Sequence, residues 1–196
     1  MTKVPEPAVP APAKPAFAVT VFLSSTTKVD KIYFDAAADL GRAIAAEGWT
    51  LVYGGNHIGC MGALADGARA AGGRVVGITP QFFIDRGVAD LACDELLVTD
   101  HMRDRKHLLE QRADAFVALP GGLGTFEELF EIIVGRQLGL HAKRVVVLNV
   151  NDYYTPLLQL IERGIEQRFV RGESRELFDV ARSVAEAIAL LKAPSA

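Results

Sequence analysis

The stretch Pro120-Gly121-Gly122-Leu123-Gly124-Thr125-Phe126-Glu127-Glu128 decides how this chain of 196 residues is read. It follows an apolar run, Ala115 to Leu119, with the composition of a buried strand. It leads into Leu129-Phe130-Glu131-Ile132-Ile133, which has the spacing of a helix. A strand, a glycine-rich turn and a helix start together make an anion site. The first helical turn leaves backbone N–H groups free, and the helix dipole favours negative charge there. Gly121, Gly122 and Gly124 let the backbone approach a ligand and take positive φ where a turn needs it. Thr125 followed three residues later by Glu128 has the form of a capping box, with Thr125 at the N-cap. Phe126, Leu129, Phe130 and Ile133 then mark the buried face, with Glu128 away from it. A carboxylate at such a helix start stays ionised, as a base that orients water requires, and it serves equally to satisfy a backbone donor. A phosphate cradle beside an acid points to chemistry on a phosphorylated small molecule.

Outward from this stretch, strand-like and helix-like segments alternate. Val19 to Leu23, Thr50 to Tyr53, Arg74 to Ile78, Glu95 to Val98, Ala115 to Leu119 and Val145 to Val150 read as strands buried on both faces. Helical spacing covers Tyr33 to Glu47, Cys60 to Ala71, His101 to Arg112, Thr125 to Leu138, Tyr154 to Glu166 and Val184 to Lys192. This order predicts an α/β fold: a single Rossmann-like domain, an open parallel sheet with helices on both faces. Its ligand site lies at the carboxyl ends of the strands, where the glycine-rich turns gather.

The totals are consistent with one such domain over residues 18–196, preceded by a Pro/Ala-rich tail over 1–17 that cannot build a core. With a net charge of -3 and no basic stripe, nothing suggests a nucleic-acid partner. No apolar run is long enough for a membrane span, and the N-terminus lacks the apolar core of a signal peptide. Cys60 and Cys93 form no metal-like spacing with the four histidines, so a reduced, cytoplasmic protein is expected.

Three further segments carry candidate chemistry. Gly54-Gly55-Asn56-His57-Ile58-Gly59-Cys60-Met61-Gly62 is a second glycine turn between a strand and a helix, and lacks the dinucleotide spacing. It is either a ligand turn or a tight packing turn, with His57 a loop residue. Ser24 and Ser25 end the first strand, where their hydroxyls bond a phosphate or ribose, or cap the next helix. Asp100 to His107 starts a helix with Asp100 as N-cap, yet Arg103, Arg105 and Lys106 bring cations where the dipole disfavours them. Arg103 reads as a solvated residue. Arg105 and Lys106 are the candidates for holding a phosphate or a ribose hydroxyl.

Arg105-Lys106 with Pro120 to Glu128 downstream resembles the paired signature of the Lonely Guy (LOG) family, cytokinin-activating phosphoribohydrolases often labelled lysine decarboxylases. The similarity runs from about Val19 to Val170 and includes Gly54-Gly55, Met61-Gly62, Leu138 to His141 and Asn151-Asp152-Tyr153-Tyr154. It implies hydrolysis of the N-glycosidic bond of N6-modified adenosine 5′-monophosphates to free base and ribose 5-phosphate, without a metal or redox cofactor. It implies Arg105 and Glu128 as the catalytic pair, with the phosphate on Gly121, Gly122, Gly124 and Thr125. Met102, Lys106, Gly54 and Gly55 would line the nucleotide pocket, and Glu127 would bind ribose hydroxyls or support Glu128. A homodimer is implied, with the contact near the helices His101 to Arg112 and Thr125 to Leu138. Two departures, Leu23-Ser24-Ser25 for the usual Cys-Gly-Ser-Ser and Gly54-Gly55-Asn56 for three glycines, fall in the pocket and bear on substrate preference. The alternative reading is a non-catalytic nucleotide or molybdenum-cofactor carrier or sensor.

Overall fold

Alternate residues of each buried strand face opposite sides of the sheet, and both sides are apolar, so helices are required on both. The structure, a computed structural model, describes residues 17–193 and contains this arrangement. The strands are β1 (Ala18–Phe22), β2 (Thr50–Tyr53), β3 (Val75–Pro80), β4 (Glu95–Thr99), β5 (Ala115–Ala118), β6 (Arg144–Leu148) and β7 (Asp179–Ala181). The helices are α1 (Lys31–Ala46), α2 (Gly59–Ala70), α3 (Gln81–Asp85), α4 (Met102–Gln111), α5 (Leu123–Gln137), α6 (Thr155–Glu166) and α7 (Val184–Lys192).

All neighbouring strands pair in parallel, in the order β4-β3-β2-β1-β5-β6-β7. The chain walks outward from β1 to β4, then returns by α4 to β5 on the other side of β1. The direction of winding therefore reverses between β1 and β5, and the loops after these two strands form the crevice where such sheets bind ligands. Ser24 and Ser25 follow β1, and the Pro120 turn follows β5.

Val19, Val21, Leu51, Val117 and Leu148 pack on one face against Leu40 and Ile44 of α1, Leu64 of α2 and Ala187 of α7. Phe22, Val52, Ile78, Phe116 and Val147 pack on the other against Leu109 of α4 and Leu129 and Ile132 of α5. Helices α1 and α2 meet backbone to backbone. A Cβ at Gly41 would lie 2.1 Å from the Leu64 carbonyl oxygen, and one at Gly67 2.2 Å from that of Ala38.

Several expected boundaries move. The third strand is Val75–Pro80 rather than Arg74 to Ile78, and β6 ends at Leu148 rather than Val150. The short elements α3 and β7 were not expected; five and three residues are too few to show a period. Phe130, expected on the buried face of α5, is exposed. Residues 1–16 of the expected tail lie outside the described residues. Phe17 packs its ring 5.0 Å from Trp49, and its carbonyl accepts the Thr50 N–H at 2.8 Å.

Candidate active site

Helix α4 crosses from the edge strand β4 back toward β5, and this path carries Arg105 over the carboxyl end of β3. There its Nε donates to the Ile78 carbonyl at 3.1 Å, and its Nη1 donates to Glu128 Oε1 at 2.8 Å. The pair is buried, Arg105 being 4% and Glu128 8% exposed. Room for the guanidinium comes from Gly54, where a Cβ would lie 2.2 Å from Arg105 Nη2. The second glycine turn thus has a defined steric task. Gly55, at φ +67, lies against Ile78 and Thr79 of β3, and Gly59, at φ +65, against the Ser25 carbonyl. Asp90 fixes this turn from behind: its N–H donates to the Gly55 carbonyl, and its carboxylate accepts from Tyr53 at 2.6 Å and Arg69 at 2.7 Å.

The capping box expected at Thr125 does not form. Helix α5 begins at Leu123 with Gly122 at the N-cap, so Thr125 is the third helical residue and Glu128 the sixth. Glu128 is therefore beyond the turn where the dipole acts, and it lies in the protein rather than away from it. Burial pushes its carboxyl above the ordinary range, only partly opposed by the Arg105 guanidinium beside it. The expectation of an easily ionised carboxylate is corrected accordingly. Likewise His101, not Asp100, precedes α4, and no side chain caps that helix.

None of Gly121, Gly122 and Gly124 takes positive φ, so the turn does not use that freedom of glycine. Gly121 is needed for packing, since its Cβ would lie 2.1 Å from Thr125 Oγ1. A Cβ at Gly122 or Gly124 would meet nothing within 4 Å. At these two positions the missing side chain opens space at the helix start and serves no packing contact.

Two hollows flank this turn. One, of about 160 Å³, is lined by Ser25, Gly54, Met102, Gly124, Arg105 and Glu128, together with Asn56, Met61 and Phe83. The other, of about 300 Å³, is lined by Ser24, Gly121, Gly122 and the rings of Tyr33 and Tyr153, with Cys60 at its wall. Lys106 and Glu127 line neither: Lys106 Nζ bridges Glu127 at 2.8 Å and Glu131 at 2.9 Å, tying α4 to α5. These two carboxylates hold the Lys106 ammonium above its usual pKa. Arg103 and His57 are exposed, and His57 Nδ1 lies 3.2 Å from the Ala89 carbonyl oxygen. Phe83 and Tyr33 were missed as lining residues; they approach the site from α3 and α1, which carry no glycine turn to signal them.

A protein-family profile described as possible lysine decarboxylase matches residues 61–191. A cytokinin riboside 5′-monophosphate phosphoribohydrolase of Rhodococcoides fascians is 41% identical over 97% of this chain and 98% of its own length. The chain belongs to the Lonely Guy family. The enzyme of the same name from Mycobacterium tuberculosis is 41% identical over 78% of this chain and 81% of its own, and LOG5 of Arabidopsis thaliana 38% over 89% and 77%. Among solved structures, the Moco carrier protein from Chlamydomonas reinhardtii matches with a TM-score of 0.69 at 25% identity, over 90% of this chain and 96% of that one. The LOG-family fold is therefore shared with proteins described as carriers.

A buried ion pair is expensive to break and cheap to replace whole. Glu128→Ala strands the Arg105 charge, and should lower Tm by roughly 10 °C, about 3 kcal/mol in a chain of this size. The double variant Arg105→Met/Glu128→Leu should recover most of that loss. Calorimetric unfolding of the three proteins checks it, and a double variant no more stable than Glu128→Ala overturns it.

Proposed function

We propose that this protein hydrolyses the N-glycosidic bond of adenosine 5′-monophosphates, N6-modified ones included, to free base and ribose 5-phosphate. The observation that carries this reading is the buried Arg105–Glu128 pair opening onto the hollow beside the Gly122–Gly124 turn, in a chain 41% identical to a cytokinin riboside 5′-monophosphate phosphoribohydrolase. The 5′-phosphate sits on the free N–H groups of the turn, which fixes C1′ near Glu128. As the bond from C1′ to the base breaks, the base leaves with the electron pair and takes a proton from solvent. The ribose gains oxocarbenium character, which the Glu128 carboxylate stabilises. Glu128 accepts a proton from the water whose oxygen bonds to C1′. Arg105, anchored on the Ile78 carbonyl, holds the carboxylate in place for both tasks. Ser25 and Met102 contact the nucleoside, and Ser24 the ribose phosphate. Lys106 and Glu127 act on the site indirectly, by locking α4 to α5.

Lys106 does not fit the Schiff-base role that a decarboxylase requires. That chemistry needs a neutral amine, whereas the two carboxylates hold this one protonated. The carrier reading is favoured by the fold likeness to the Chlamydomonas reinhardtii protein, but a carrier has no use for a buried acid–guanidinium pair in its cleft. A cytoplasmic location suits both the nucleotide substrate and the free thiols of Cys60 and Cys93.

We also infer a homodimer. Phe130 and Val134 of α5 and Leu138 at its C-cap form an exposed apolar stripe at spacings of four, continued by Leu140. Sedimentation should give a dimer for the native chain and a monomer for Val134→Asp/Leu138→Asp; a monomeric native protein removes the proposal.

Release of adenine from AMP and of free base from N6-isopentenyl-AMP, followed by chromatography, tests the reaction. Native turnover with about a thousandfold loss in Glu128→Gln is expected; nucleotide binding without turnover by the native protein turns the reading over to the carrier. Because Glu128 works ionised and its carboxyl is pushed up from 4.5, activity should fall as pH drops through a value above 4.5. An acid limb of kcat/KM at or below that value would falsify this assignment.

A further inference from the structure

The segment Asn151-Asp152-Tyr153-Tyr154 has no part in the chemistry above, yet its backbone is held in an unfavourable form. Asn151 (φ 51) and Asp152 (φ 55) are consecutive non-glycine residues in the left-handed region. Such a pair persists only where its surroundings over-determine it, and clusters at sites where the resulting geometry is used. Here the buried Asn149 locks it, accepting the Tyr154 N–H at 2.7 Å and donating to Thr155 Oγ1 at 3.1 Å. The turn delivers two adjacent tyrosines to two carbonyls of the glycine loop. Tyr153 donates its hydroxyl to the Gly121 carbonyl at 2.5 Å, and Tyr154 donates to that of Leu119 at 2.6 Å. Tyr33, Phe126 and Tyr154 surround the Tyr153 ring, with centroids 5.2–6.4 Å away.

The two hydrogen bonds differ in consequence. Within one planar trans peptide the C=O and the next residue's N–H point in opposite directions. Holding the Gly121 carbonyl therefore aims the Gly122 N–H away from Tyr153, and among the described residues no protein acceptor takes that N–H. Gly122 is the N-cap of α5, with open space where its side chain would be. Holding the Leu119 carbonyl aims nothing, because the next residue is Pro120, which has no N–H.

We propose that Tyr153 is a positioning residue for phosphate recognition: its hydroxyl fixes the Gly121–Gly122 peptide so that the Gly122 N–H is preset toward the 5′-phosphate. Tyr154 makes a chemically similar bond that supports the fold alone. This inference rests on the phosphoribohydrolase reading for the identity of the ligand.

Tyr153→Phe keeps the ring and removes only the hydroxyl, and Tyr154→Phe is its internal control. Calorimetric titration with ribose 5-phosphate and with adenosine separates the phosphate from the nucleoside. Tyr153→Phe should weaken ribose 5-phosphate about tenfold, as loss of one preset charge-assisted bond implies, and leave adenosine unchanged. Tyr154→Phe should lower Tm yet bind ribose 5-phosphate as the native protein does. In turnover of AMP, Tyr153→Phe should raise KM by the same factor with kcat near native. Native-like ribose 5-phosphate binding by Tyr153→Phe, equal losses for both ligands, or no ribose 5-phosphate binding by the native protein each overturns the proposal. If the native protein binds ribose 5-phosphate but releases no base, the reaction assignment fails, and the titrations still decide the role of Tyr153.

Discussion

Burial of the Arg105–Glu128 pair is the constraint around which the rest of the site is arranged. Two opposite charges taken out of water recover their solvation cost only when geometry is close and the remaining hydrogen-bonding capacity is used. Arg105 meets this in part, with Nε on the Ile78 carbonyl and Nη1 on Glu128. The cost remains visible in the Glu128 carboxyl, which burial pushes upward despite the guanidinium at 2.8 Å. Retaining an arrangement that contributes little net stability is understandable where a desolvated carboxylate has work to do on a developing positive charge.

The two glycine turns solve different problems. In the turn after β2, glycine is demanded by neighbours already present: the guanidinium at Gly54, β3 at Gly55 and the Ser25 carbonyl at Gly59. In the turn after β5, Gly122 and Gly124 face open space at a helix start. One turn makes room for protein; the other leaves open space at a helix start, as the proposed phosphate site requires. Tyr153 and the strained turn before it add a third layer, holding the Gly121 carbonyl of that loop from behind.

The same sheet supports proteins described as a molybdenum-cofactor carrier and a molybdenum-cofactor binding protein, so the scaffold by itself does not select a function. What it supplies is a reversal of winding between β1 and β5, with free loops and a helix start converging there. The Arg105–Glu128 pair, set into one wall of that crevice, is what makes hydrolysis the better reading here.

Alternation of short apolar runs with helical spacing was enough to read an α/β parallel sheet, because strand and helix periods are local properties of the chain. The Pro120–Glu128 stretch likewise marked the turn proposed here to hold the phosphate, since a strand end, glycines and a helix start are all within ten residues. Local patterns misled where long-range contacts override them. Thr125 to Glu128 has a capping-box form, yet α5 starts at Leu123, and an apparently surface carboxylate is buried and paired with a guanidinium 23 positions earlier in the chain. That meeting depends on α4 returning across the sheet from β4 toward β5, which no short window records. The sequence by itself determined the fold class and marked the glycine turn that joins a strand end to a helix start. The tertiary structure decided which side chains meet there, because burial and pairing of charge depend on elements far apart in the chain.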